Sequence, residues 1–173
     1  MRVYVPATIS MLRTLVADGE FHPVSRTAFA VTPTLREAYS SGDDEELAEV
    51  ALGEAARASL RLVAAGLDDE KDGIVDGSVV FRRAVIAADV ENPKLRPDLD
   101  DAVVRLADPL RLDQVASVHV DLEGAETAVA KAVEVIDAAD MGDPDAEFVL
   151  GDAEDHSLAW YATQELPFLL DFL

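Results

Sequence analysis

The chain has 173 residues, half of them apolar, no cysteine, and 35 acidic against 14 basic side chains, a formal net charge of −21. This much apolar content at this length suffices for one core, so the charge is expected to decorate a folded body. Disulfides and cysteine-based zinc sites are excluded, a nucleic-acid backbone or an anionic membrane would be repelled from most faces, and no cofactor is implied.

No apolar run approaches the ~20 residues that span a bilayer. The opening MRVYVPAT lacks the basic and apolar segments of a secretory leader, so the expected setting is the cytoplasm. The acidity is uneven. Residues 1 to 40 carry net +1 and residues 77 to 120 net −1, whereas residues 41 to 76 carry net −8. Residues 121 to 173 hold fourteen acidic side chains against Lys131 alone, net −13.

The alternation of Arg2 to Val5, ended by Pro6, predicts a first strand. Ile9, Leu12, Leu15 and Val16 then share a helical face, with Thr8 placed to cap its start and Gly19 its end. Thr27 to Val31 reads as a second strand. Thr32 and Pro33 open a short helix, in which Thr34 and Glu37 have capping-box spacing and Tyr39 closes the last turn. Leu47, Ala51, Ala55, Ala58, Leu62 and Ala65 predict a long helix stopped by Gly66, followed by a charged loop from Leu67 to Gly77. Val79 to Val90 reads as a buried strand interrupted by Arg82 and Arg83.

Leu99 to Leu106 fits helix and strand alike, ended by Pro109. In Val115 to Asp121 the alternation of Val118 and Val120 with Ser117, His119 and Asp121 predicts a half-buried strand. Ala125, Val129, Ala132, Val135, Ile136 and Ala139 form the stripe of an amphipathic helix that Gly142 and Pro144 terminate. Ser157 to Leu166 again fits either state. Strands separated by helices predict an α+β chain: a two-layer sandwich over residues 1 to 166 with a mixed sheet of four to six strands. Residues 167 to 173 form an apolar tail, with Phe168, Leu169, Leu170 and Phe172 docked on the domain or covered by a partner.

Three local clusters carry chemistry. Asp68, Glu70, Asp72, Gly73 and Asp76 imitate most of a calcium loop, but the twelfth position is Val79 where a bidentate glutamate should stand, so a solvated loop is expected and no metal. Asp98, Asp100 and Asp101 lie beside Arg96 and Arg105, which explain them as ion pairs. GDAEDHSLAWY and the residues after it place Asp155 and His156 near Trp160, Tyr161, Gln164 and Glu165. This segment suits a small ligand or a partner side chain, the alternative being aromatic anchors in the core. His22 and His119 have no partner at ligand spacing, and no hydrolase, metalloprotease or phosphate-loop motif occurs.

The stretches MRVYVPATISMLRTLV, TAFAVTPTLREAY, DLDDAVVRLADP and GDAEDHSLAWYATQEL resemble, as a set, a domain-of-unknown-function family of small acidic actinobacterial proteins. The resemblance covers most of the chain and implies a cytoplasmic protein of a high-GC bacterium. It implies no activity, cofactor or site residue. The leading expectation is therefore a non-enzymatic protein-interaction or regulatory protein, whose partner is a protein and for which a homo-oligomer is compatible. The alternative is a small-molecule binder or enzyme using His156, Trp160, Tyr161 and nearby carboxylates. A third reading is an acidic mimic of nucleic acid on residues 121 to 155.

Overall fold

A computed structural model describes residues 1–71, 73 and 79–173. Among the described residues nine strands and six helices follow in the order β1 (Arg2–Ala7), α1 (Ile9–Asp18), β2 (Glu20–Phe21), β3 (Thr27–Phe29), α2 (Pro33–Ala38), α3 (Asp44–Lys71), β4 (Ala84–Asp89), β5 (Lys94–Leu95), β6 (Val103–Arg105), β7 (Leu110–Arg111), β8 (Val115–Val120), α4 (Glu126–Asp140), α5 (Pro144–Glu154), β9 (Ala159–Ala162) and α6 (Leu166–Asp171). Seven strands form one sheet in the order β5-β6-β3-β1-β4-β8-β9, and β2 pairs with β7 in a separate small ladder.

The chain is α+β, with more strands than the four to six expected. Every observed pairing in the main sheet is antiparallel, which corrects the mixed sheet. The reason is strand order. The crossover through α2 and α3 leaves β3 and β4 parallel, but β1 lies between them and is antiparallel to both. α4 and α5 are two legs joined by a three-residue turn, with Gly142 in the left-handed region at φ 92°, and they return the chain to the sheet end it left. β9 therefore runs antiparallel to β8.

Helices also lie on both faces, so the sheet is the middle of three layers instead of one of two. β1 shows why. Val3, Val5 and Ala7 pack with Ile9, Leu12 and Leu15 of α1 and with Leu166 and Leu170 of α6. Tyr4 packs on the opposite face with Phe29, Val85 and the Leu47–Ala51–Ala55 stripe of α3. From Val3 to Ala7 β1 is apolar at successive positions and so needs cover on each side. The C-terminal half of α3 leaves the sheet, and its Leu60 and Val63 join Val129, Ala132 and Ile136 of α4 and Ala146, Leu150 and Ala153 of α5 in a further core.

Several local expectations change for identifiable reasons. α3 continues through Gly66 to Lys71, because a helical glycine costs only about 1 kcal/mol and Val63, Ala64 and Leu67 pack on α4 and α5. The strand expected over Val79–Val90 is confined to Ala84–Asp89, since Val79 and Phe81 belong to the helical core. Leu99–Leu106 resolves into a turn and β6. Thr32, rather than Thr34, caps α2 by accepting from the Leu35 amide at 3.0 Å.

The wholly buried Ser59 ties α3 to the sheet. Its Oγ donates to the Ala7 carbonyl at 2.7 Å and accepts from the Ala84 amide at 3.0 Å, bridging the end of β1 and the start of β4. Ser59→Ala leaves both backbone groups without that partner. A loss of about 1–3 kcal/mol in urea unfolding is expected, with the slope against denaturant unchanged; a loss below the error of the measurement would show that the bridge is idle.

The two outer strands of the main sheet are short and guarded. β5 has two residues, Lys94 and Leu95, preceded by Pro93. β9 has four, and the Ala162 amide at its end donates to Glu165 Oε1.

Candidate interaction groove

The groove is set up by the end of β8. Asp121 is wholly buried and Arg83 nearly so. Arg83 donates from Nε and from its backbone amide to Asp121 Oδ2, each at 2.8 Å, and from Nη2 to Oδ1 at 2.8 Å. The same Nη2 donates to the His156 carbonyl at 2.7 Å. One bidentate pair thus joins the entry to β4, the exit of β8 and the loop between α5 and β9. Because Asp121 turns inward, Leu122 turns out, and a 3-10 turn over Glu123–Ala125 leads into α4.

On the other side, β9 passes through a 3-10 turn at Thr163–Glu165 into α6, where Pro167 sits in the first turn. Helical spacing then divides the last residues. Leu166 and Leu170 enter the core and Leu169 and Leu173 pack against it, while Phe168 and Phe172, four apart, face out together. Leu122 is 55% exposed, Phe168 70% and Phe172 88%.

Between them lies an open groove of about 540 Å³, lined by Tyr161, Leu169 and Leu173 as well as the three exposed side chains, with Arg82, Glu123 and Glu165 as its polar groups. Arg82 is not a free cation there: its Nε and Nη2 donate to Glu126 Oε1 at 2.9 and 2.6 Å. Six of the nine side chains lining the groove are thus apolar or aromatic, and its charged ones are two carboxylates and an arginine already paired.

The candidates of the segment Asp155 to Glu165 are distributed, not gathered. Tyr161 and Glu165 line the groove, whereas Trp160, adjacent on β9, faces the other side of the sheet opposite His119 and is 61% exposed. Neighbouring strand residues point to opposite faces, so the two aromatics do not share a pocket. Trp160 is no core anchor either, and Tyr161 is half buried against the α1–α6 core. His156 lines a separate cavity of about 190 Å³ with Asp152, Thr127 and Lys131, and Asp155 and Gln164 are exposed. In the tail, Phe168, Leu169 and Phe172 line the groove while Leu170 is buried beneath it.

The other expected features are structural where they are described. Asp68 and Glu70 lie in α3, with Glu70 Oε2 accepting from the Val79 amide at 3.2 Å; Asp72 and Asp76 lie outside the described residues. Arg96 forms a bidentate pair with Asp98 at 2.7–2.8 Å, which holds that carboxyl down at about 2. Asp100 accepts from the Asp101 amide and the Asp101 carbonyl accepts from Thr32. His22 is exposed, and Ser117 Oγ lies 3.2 Å from His119 Nε2. Burial, and then the positive charge of Arg2, push the His119 imidazole below the usual histidine range. Among the described residues no group of three or more histidines and carboxylates is placed to hold a metal, and no helix is long and apolar enough to cross a membrane.

Five of the carboxylates in residues 121 to 155 are held by arginines from 57 to 83. Arg57 pairs with Asp140, Glu147 and Glu154, Arg61 with Asp140, Arg82 with Glu126 and Arg83 with Asp121. These carboxylates lace α3 to α4 and α5 or fix the exit of β8. Arginine pairing holds Asp140 and Glu147 below the usual carboxylate range.

A model for a family of unknown function, DUF6912, matches residues 1–170. The chain belongs to this family. The match takes in the nine strands of the described residues, the leucines Leu166, Leu169 and Leu170, and Phe168. No curated protein and no solved structure matches the DUF6912 chain.

Sequence reading missed Leu122 and Arg82 as groove residues. Leu122 continues the inward phase of Val118 and Val120, and only the burial of Asp121 between them reverses it. Arg82 is adjacent to Arg83 and looks equivalent to it. The backbone sends one to a groove and the other into the interior.

Proposed function

We propose that this DUF6912 protein is a non-enzymatic protein-interaction module that docks another protein in the groove between Leu122 and α6. The observation that carries this reading is the convergence of Leu122, Phe168 and Phe172, all more than half exposed, on one open groove with Tyr161 in its wall. Protruding aromatics of this kind are the anchors that interfaces bury, because their apolar area is large and their rotamer freedom small. The distribution of His156, Trp160 and Tyr161 among three places weighs against a shared catalytic or small-molecule site. The reading includes a cytoplasmic setting in an actinobacterial cell, supported by the absence of cysteine and by the composition.

Site-resolved crosslinking in the cell of origin tests it. Benzoylphenylalanine at Phe172 and at Leu122 is expected to give the same defined protein adduct, and at Tyr39, an exposed side chain far along the chain, to give none of it. The same adduct from all three positions, or from Tyr39 alone, would refute docking in the groove. A crosslinked second copy as the sole product would replace the partner by a homo-oligomer.

A further inference from the structure

The charge around the groove restricts what can fill it. The groove's own polar groups are Glu123, Glu165 and Arg82, and Arg82 is already neutralised by Glu126. Asp171 is exposed one residue before Phe172. With these carboxylates included, residues 121 to 173 carry net −13, with Lys131 as their only basic residue. Arg57, Arg61, Arg82 and Arg83 are paired with Asp121, Glu126, Asp140, Glu147 and Glu154 and leave the other nine carboxylates of this segment without an arginine partner. What remains is an apolar strip inside a field of unpaired carboxylates.

A second copy of the chain fits this badly. A two-fold contact sets the same patch against itself, so Glu123, Glu165 and Asp171 of one copy would face those of the other, between bodies that each carry −21. An anionic surface meets the same field. We infer, resting on the docking reading above, that the occupant is a cationic amphipathic segment of another protein, with apolar side chains between Leu122, Phe168 and Phe172 and lysines or arginines toward Glu123, Glu165 and Asp171. Apolar anchors supply the burial, and the charges select among partners and speed encounter.

Three fluorescein-labelled helical peptides provide the test, alike in a leucine and isoleucine face and bearing lysine, glutamine or glutamate on the polar face. By anisotropy at low and at physiological salt, the lysine peptide is expected to bind the full chain at least about tenfold more tightly than the glutamine peptide, and the glutamate peptide not at all. Three double variants locate the binding. Phe168→Ser with Phe172→Ser is expected to abolish it, and Glu123→Lys with Asp171→Lys to remove the lysine preference. Glu45→Lys with Glu49→Lys, the same charge change at exposed positions of α3, is expected to change it less than about twofold.

All six positions are exposed, and circular dichroism checks that each variant is folded. Equal binding of lysine and glutamine peptides, lost with the two phenylalanines, would overturn the cationic partner and leave the groove reading standing. Equal weakening by the groove and α3 reversals would overturn it as diffuse attraction. Binding indifferent to Phe168 and Phe172, or no binding by any peptide, would overturn both.

Discussion

Asp121→Ala is expected to cost about 3–5 kcal/mol of unfolding free energy, a large share of the roughly 5–15 kcal/mol by which domains are stable. Asp121 accepts three hydrogen bonds from Arg83, and neither residue has solvent to fall back on. Removing the carboxylate strands a buried guanidinium whose other bond goes only to the His156 carbonyl. The price is mostly that of the orphaned charge, and this gives a sharper control than the single variant. Arg83→Met with Asp121→Leu removes both charges and is expected to recover much of the loss, because a matched apolar pair avoids the desolvation. Urea unfolding of wild type, single and double variants reads the cycle. A single variant within 1 kcal/mol of wild type would mean that water or a shifted side chain satisfies Arg83.

Leu150→Ala is expected to cost about 2–5 kcal/mol and to act on one part of the molecule. Leu150 is wholly buried and is the largest side chain that α5 sends into the core shared with α3 and α4, where its companions on α5 are Ala146 and Ala153. Small neighbours cannot swing into the space, so little relaxation is available. Besides the packing of Ala146 and Ala153, α5 is then held by the pairs from Arg57 to Glu147 and Glu154, both about half exposed and worth little each. Amide exchange is expected to accelerate most in α5 and in the facing side of α4 while α1 and the β1–β4 ladder stay protected. Uniform acceleration over the whole sheet would show that the helical core and the sheet open as one unit.

The sequence was most legible where one physical signal spoke alone. The α3 periodicity, the alternation in β8 and the caps at Thr8 and Gly19 each specify a local state, and each element is present, although beyond Ala55 the buried face of α3 runs through Ser59, Leu60 and Val63 and leaves the expected Ala65 exposed. α5 was illegible for the opposite reason. Gly142 and Pro144 end α4, but Pro144 is also the first residue of α5 and Asp143 its cap, accepting from the Asp145 and Ala146 amides. A proline after a glycine reads equally as a stop and as a start. Strand order was beyond local signals altogether, since nothing within β3 or β4 records that β1 will lie between them. At the groove, the tail's division into inward leucines and outward phenylalanines follows from helical spacing once a helix is assumed. The outward turn of Leu122 follows only from a long-range pair with Arg83.

The two guarded sheet edges bear on how crowded this protein can be. A chain that is half apolar and has seven strands in one sheet could grow into ribbons by adding copies at its ends. One end offers only Lys94 and Leu95, preceded by Pro93, and at the other the amide of Ala162, the last residue of β9, donates to Glu165. Like charge of −21 keeps colliding copies apart over the Debye length. The molecule is therefore expected to resist edge-to-edge growth at high concentration even with bare phenylalanines on its surface, because the backbone at its borders gives a neighbouring copy little to extend.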